Sequence, residues 1–325
     1  MGSAVSIEAL AKDHAGEKAL RGISLEVPDP CLFGIIGADG AGKSTLMSIL
    51  ATLDDPDSGK GRVLGRDLAG EFRSIRADIG YMPQRFSLYQ DLSVLENLDF
   101  FADIFGIAGK AKQDRMRELL DFAGLSAFKG RRAGQLSGGM KQKLALACTL
   151  VHHPRLLLLD EPTVGVDPVA RRDFWTMLKA LRNDGITLMV STPYMDEAAL
   201  CDSLVLLHEG SILAQGAPAK LLSEYPYRLY QVDADPAARV PTLTYPGDAA
   251  PPPGFSLVYP SGGTLHAAEP RAETGDPRER LKQGVPATGK VTEINPSLED
   301  CFFALLSGQK SSHAREPGQA PAGAA

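Results

Sequence analysis

An apolar run, Leu32-Phe33-Gly34-Ile35-Ile36, leads directly into Gly37-Ala38-Asp39-Gly40-Ala41-Gly42-Lys43-Ser44-Thr45, and no other stretch restricts the fold so tightly. The run reads as a buried strand, and Leu46, Ile49 and Leu50 read as one face of a following helix. Strand, glycine loop and helix in that order make a phosphate cradle. Glycines let backbone N–H groups approach the β- and γ-phosphates, Lys43 supplies a positive charge, and Ser44 offers a hydroxyl to Mg²⁺. The helix start adds unpaired N–H groups and the positive end of its dipole. Gly37 to Thr45 are therefore candidate contacts to ATP or GTP, which says what binds and not why.

Around this loop the chain has the composition of a globular protein: 325 residues, 44% hydrophobic and 23% charged, enough for one substantial domain and a smaller one. A net charge of −6 with no Lys/Arg block argues against a nucleic-acid partner. Cys31, Cys148, Cys201 and Cys301 are far apart in sequence and form no CxxC pair, as expected of reduced, buried thiols in a cytosolic protein. The N-terminus has no secretory signal pattern, and no apolar run reaches the ~18 residues that crossing a bilayer requires. If the protein serves a membrane process, another chain is expected to do the spanning.

Short strands are expected near Val5–Leu10 and Ile23–Val27, a helical region over about 86–153, and a helix over about 170–183. Leu156 to Leu159 and Ile186 to Val190 are continuous apolar strands, so the fold class is α/β with a mostly parallel sheet covered on both faces. Composition shifts after Leu222. The main domain is expected over 1–222, a loop-rich C-terminal subdomain over 223–306 with a strand at Phe255–Tyr259, and a disordered tail over 307–325. A closing helix is marked by Ser297 as N-cap, Asp300 three residues on, and Leu298, Cys301, Phe302, Leu305 and Leu306 on one face.

Two further patterns narrow the chemistry. Asp160-Glu161-Pro162-Thr163 follows four leucines, so two carboxylates emerge where a buried parallel strand meets the ligand edge of its sheet. Asp160 is expected to hold Mg²⁺ and Glu161 to polarise the attacking water as general base; a solvated acidic pair is the plain alternative. Leu136-Ser137-Gly138-Gly139-Met140-Lys141-Gln142 is a second glycine loop opening a helix, with Ser137 as N-cap. Taken alone it is either a second anion-binding helix start or only a capped one.

With these residues in view, the chain resembles the ATP-binding cassette (ABC) family over roughly residues 5–220. Leu136-Ser137-Gly138-Gly139 looks like its signature motif, Tyr81-Met82-Pro83-Gln84 like its Q-loop, and Val164-Gly165-Val166-Asp167-Pro168 like its D-loop. Gly80 to Gln84, Gly138 to Lys143 and Pro296 to Phe302 bring it nearest to the cassettes of YbhF-like and daunorubicin-resistance-like exporters. The resemblance implies an antiparallel N-terminal β part, a helical insertion and a small α+β C-terminal subdomain. It also implies a Mg²⁺-dependent ATPase that closes head to tail on a second cassette, identical or different, and drives separate transmembrane permease subunits of an efflux exporter from the cytoplasmic face.

In that scheme Gln84 contacts Mg²⁺ or the water together with Ser44 and Asp160. Leu136, Ser137, Gly138, Gly139 and Gln142 reach the partner's ATP, and Asp167 crosses to the partner. Two departures stand out. Pro193 occupies the position where the family has a switch histidine, and proline offers neither a side-chain donor nor an N–H. His14 falls where an aromatic ring usually stacks on adenine, and a plain surface histidine is the alternative. Two other functional classes compete: a soluble cassette acting on ribosomes or DNA, which tandem cassettes or a long insertion would mark, and a regulatory ATP-binding subunit of low turnover.

Overall fold

The computed structural model describes residues 2–85, 88–234, 251–282 and 288–313, in two compact units that divide between Pro218 and Ala219. The first unit opens with a hairpin of β1 (Ser3–His14) and β2 (Glu17–Pro28), followed by β3 (Leu32–Ile36) and α1 (Lys43–Leu50). Next, β4 (Ser58–Val63) pairs with β1, and β5 (Arg66–Asp67) with β4, so an antiparallel sheet runs β2-β1-β4-β5. After α2 (Phe72–Asp78) and β6 (Ile79–Met82) come α3 (Val94–Ile104), α4 (Gly109–Phe122) and α5 (Gly138–Thr149), the helical region. The unit continues through β7 (Leu156–Asp160), α6 (Pro168–Asn183), β8 (Thr187–Thr192), α7 (Met195–Ala198), β9 (Ser203–His208) and β10 (Ser211–Gly216).

The central sheet runs β10-β9-β3-β8-β7-β6 and is parallel except for β10. Every residue of β3, β7 and β8 is buried. Side chains alternate across a strand, so the four leucines of β7 divide between two cores. Leu157 and Leu159 pack with Leu188, Val190 and the apolar faces of α3 to α6; Leu156 and Leu158 pack with Phe33, Ile35, Met189 and the buried side of α1. This is the α/β cassette architecture with an antiparallel N-terminal part and a helical insertion.

The second unit begins within α8 (Pro218–Ser223) and continues through β11 (Tyr227–Ala234), β12 (Leu257–Ser261), β13 (Thr264–Pro270), α9 (Pro277–Leu281), β14 (Thr288–Ile294) and α10 (Leu298–His313). Its sheet is antiparallel, β12-β13-β11-β14. The unit begins ahead of the composition shift at Leu222 because Leu222 already packs with Tyr225, Leu229 and Cys301. It is also less loop-like than its sequence suggests: three strands lie outside the expected Phe255–Tyr259 segment. Buried charge hides one of them, since Glu269 on β13 is fully buried against Arg228 and Arg280. The Pro- and Ala-rich stretch from Pro236 to Pro253 lies largely outside the described residues.

α10 extends to His313, past residue 307 where the tail is expected to begin. Residues 314–325 lie outside the described residues. All four cysteines are buried, and burial pushes Cys31 and Cys301 to about 11 and Cys201 to about 12, leaving protonated thiols near neutrality. Among the described residues no helix is long and apolar enough to cross a membrane.

Asp300 joins α10 to this sheet. Its carboxylate accepts from Ser297 N and Ser297 Oγ (both 2.6 Å), Tyr259 Oη (2.5 Å) and His266 Nδ1 (2.7 Å). Burial opposes ionisation, but His266, Ser297 and Tyr259 outweigh it and hold the carboxyl at about 2, below its ordinary 3.8. A depressed folded value means that the stabilisation is complete above about pH 4 and is lost as pH falls towards 2. Asp300→Asn is therefore expected to flatten the acid limb of C-terminal-unit unfolding, followed by Tyr259 fluorescence; an unchanged acid limb would contradict this role.

Candidate functional site

The phosphate loop joins β3 to α1, and its glycines meet different demands. A Cβ on Gly37 would lie 2.3 Å from Leu207 O, and one on Gly42, whose φ is +102°, 2.4 Å from Ala19 O. Gly40 has φ +78° with open space around it, so only its backbone conformation selects glycine. Helical pairing begins with Leu46 N donating to Gly42 O (3.0 Å), and the amides ahead of it are those a helix start leaves unpaired.

Lys43 is 3% exposed, and its ammonium uses all three protons: on Gly37 O (2.8 Å), Ala38 O (3.0 Å) and Glu161 Oε1 (2.9 Å). The other Glu161 oxygen, Oε2, accepts from Gln84 Nε2 at 2.6 Å. Glu161 is thus held between the loop cation and the amide at the end of β6. Its backbone is left-handed at φ +49°, an unusual conformation for glutamate. Glu161 N donates to Ser191 Oγ (2.9 Å), and Ser191 Oγ donates to Asp160 Oδ1 (2.6 Å). Burial first, and the Asp160 charge next, push the Tyr81 phenol above its ordinary range.

One cavity of about 350 Å³ collects His14, Asp39, Gly40, Gly42, Lys43, Ser44, Thr45, Gln84 and Glu161. Glu17, Lys18 and Ala19 also line it, because the β1–β2 hairpin folds over the loop. Sequence reasoning missed these three; the turn glycine Gly16 after His14 was the available signal. His14 sits half exposed on the rim, its Nε2 3.5 Å from Thr45 Oγ1. Ser44 and Gln84 line this cavity, while Asp160 is buried one residue before Glu161, outside the lining and bonded to Ser191 Oγ; a hydroxyl, an amide and a carboxylate are oxygen donors of the kind a hard cation such as Mg²⁺ takes.

The remaining candidates lie elsewhere. Among the described residues, Leu136, Ser137, Gly138, Gly139, Gln142, Asp167 and Pro193 do not line this cavity. Ser137 caps α5, accepting from Met140 N at 3.3 Å, and a Cβ on Gly139 would meet Ala170 Cβ at 2.4 Å, so this glycine lets α5 approach α6. Asp167 caps α6, accepting from Val169 N (3.1 Å) and Ala170 N (3.0 Å), a role that an Asp followed by Pro168 at the helix start signals locally. Pro193 is half-buried just after β8.

The ABC transporter family model matches residues 20–164, a span that holds the phosphate loop, Gln84, the signature loop and Asp160-Glu161. The daunorubicin/doxorubicin resistance ATP-binding protein DrrA of Streptomyces peucetius is 37% identical over 93% of this chain and 92% of its own length. The chain belongs to the ABC transporter family. This ABC protein is also 42% identical, over 86% of its length, to the probable multidrug ABC transporter ATP-binding protein YbhF of Escherichia coli K12, but spans only about half (47%) of that relative. The dimeric post-hydrolysis structure of the cassette MJ0796, bound to ADP and Pi, superposes on 66% of this chain and 98% of its own with a TM-score of 0.60 and 29% identity.

The buried pair in this ABC site predicts a stability signature. Lys43→Met leaves the Glu161 carboxylate without its cation and should cost about 3–5 kcal/mol in urea unfolding. Adding Glu161→Gln should restore at least half of that loss. Equal losses in the single and double variants would mean that the two groups are not coupled.

Proposed function

We propose that this chain is the ATP-binding and hydrolysing subunit of an efflux exporter of the multidrug or small-molecule type. Carrying the reading is the Lys43–Glu161–Gln84 constellation on a phosphate-sized cavity, with the signature helix start outside that cavity. A site so divided is completed by the signature loop of a second cassette, docked head to tail.

The chemistry follows from these side chains. A triphosphate offers Lys43 a partner of higher charge than Glu161, and the exchange frees Glu161 Oε1. Glu161 then takes a proton from water as the water oxygen bonds to the γ-phosphorus, and the bond to the bridging oxygen breaks to leave ADP and phosphate. Gln84 orients the same carboxylate or water from the end of β6. Ser44, Asp160 and Gln84 are the residues that would hold Mg²⁺, which supplies neutralisation of phosphate charge. In this reading His14, on the rim, would stack on the adenine ring. At the start of the helical region the buried Asn97 accepts from Tyr89 N and donates to Tyr89 O, Leu92 O and Ser93 O, tying the segment before α3 to the helix. The cassette would drive separate permease subunits from the cytoplasmic face of the membrane.

Pro193 favours a second reading, a cassette whose own site turns over slowly and which works beside a different subunit. Losing one preorganised donor costs about 10²–10³ in rate. Pro193→His should therefore raise the ATPase rate of the purified chain, and an unchanged rate would remove this second reading. Glu161→Gln should keep ATP binding, trap a dimer on size exclusion, and lower kcat by about 10²–10⁴; undiminished turnover would sink the general-base role. Co-purification with a polytopic membrane protein tests the exporter assignment, and a cassette recovered from cells without one would count against it.

A further inference from the structure

Outside the phosphate cavity, the most heavily bonded buried acid of the first unit is Glu197, in α7, four residues past Pro193. It is 2% exposed. Its carboxylate accepts from Thr163 Oγ1 (2.8 and 3.1 Å to its two oxygens) and from Thr192 Oγ1 (2.6 Å), while Arg171 Nε stands 3.8 Å away. Burying a carboxylate on two neutral hydroxyls and one distant cation is costly, so the arrangement calls for a return.

Both hydroxyls belong to loops that carry the reaction centre. Thr163 lies two residues past Glu161, in the turn closed by Val164 N donating to Glu161 O (3.3 Å) and Val166 N donating to Thr163 O (3.2 Å). Thr192 ends β8. Its carbonyl accepts from Gly37 N (3.4 Å), and its hydroxyl also accepts from Tyr194 N (3.1 Å). Neighbouring residues on a strand face opposite ways, so Ser191 faces Asp160 and Glu161 N while Thr192 faces Glu197. Glu161 itself is left-handed, a conformation that persists only where its surroundings over-determine it.

We infer that Glu197 is a positioning residue: by bridging Thr163 and Thr192 it clamps the turn after β7 to the end of β8 and so holds Glu161 towards the phosphate cavity. The clamp matters more here because Pro193, the residue after Thr192, contributes no donor of its own. The inference rests on the reading of Glu161 as the base of an ATPase.

Thr163→Val removes one clamp hydroxyl at nearly constant volume, and Thr163→Ser keeps it. On the full chain, Thr163→Val should lower kcat at least about tenfold with KM for ATP changed less than about threefold, whereas Thr163→Ser should stay within about threefold of the parent. Amide hydrogen exchange at Val164 and Val166 should quicken in Thr163→Val and in Glu197→Ala, and not in Thr163→Ser. A Thr163→Val chain with kcat within about twofold of the parent, with unchanged exchange, or no worse than Thr163→Ser overturns the clamp. The exchange measurement needs no turnover. A parent chain that fails to hydrolyse ATP therefore refutes the ATPase reading, and exchange alone then decides the clamp.

Discussion

Three parallel strand ends, held in one register, are what the nucleotide side of this molecule depends on. Ile36 of β3 pairs with Thr192 of β8, and Ser191 of β8 pairs with Asp160 of β7. That alignment delivers the start of the glycine loop, the acidic pair and two hydroxyls to the same edge. A slip of one residue would turn Ser191 away from Asp160 and Thr192 away from Glu197. The register is secured by residues that bind nothing: Leu157, Leu159, Leu188 and Val190 on one face, Phe33, Ile35 and Met189 on the other.

At that edge, electrostatics and backbone strain are balanced locally. Glu161 adopts a conformation that glutamate rarely adopts, yet both carboxylate oxygens and its amide are occupied, by Lys43, Gln84 and Ser191. Lys43 reciprocates by satisfying two loop carbonyls. Removing any one member leaves the others short of a partner, so Lys43, Glu161 and Gln84 form one coupled unit.

Legibility followed range. The phosphate loop, Asp160-Glu161 and Gln84 each sit on or beside an apolar strand, and a strand end is a local signal. Glu17, Lys18 and Ala19 were invisible because a hairpin must fold over the loop before they become part of the cavity. Ser191, Thr192 and Thr163 look like ordinary β-formers in a sequence, and only the fold turns their hydroxyls to work on carboxylates. The C-terminal sheet was underread for a related reason: β13 alternates through His266 and Glu269, and burial of those groups depends on Asp300, Arg228 and Arg280 from distant segments. Asp167 is the converse case, where the family pattern points outward to a second chain while the visible bond is a helix cap.

The division of the β7 leucines between two cores reaches beyond packing. Leu156 and Leu158 answer to α1 and the hairpin side, Leu157 and Leu159 to the helical region. Substitutions that reshape α3 and α4 are absorbed on one face of the sheet, and the opposite face keeps its volume. Across such a wall the two faces of β7 can be repacked separately, so a change of volume beside α3 or α4 is not handed on to the residues that seat α1.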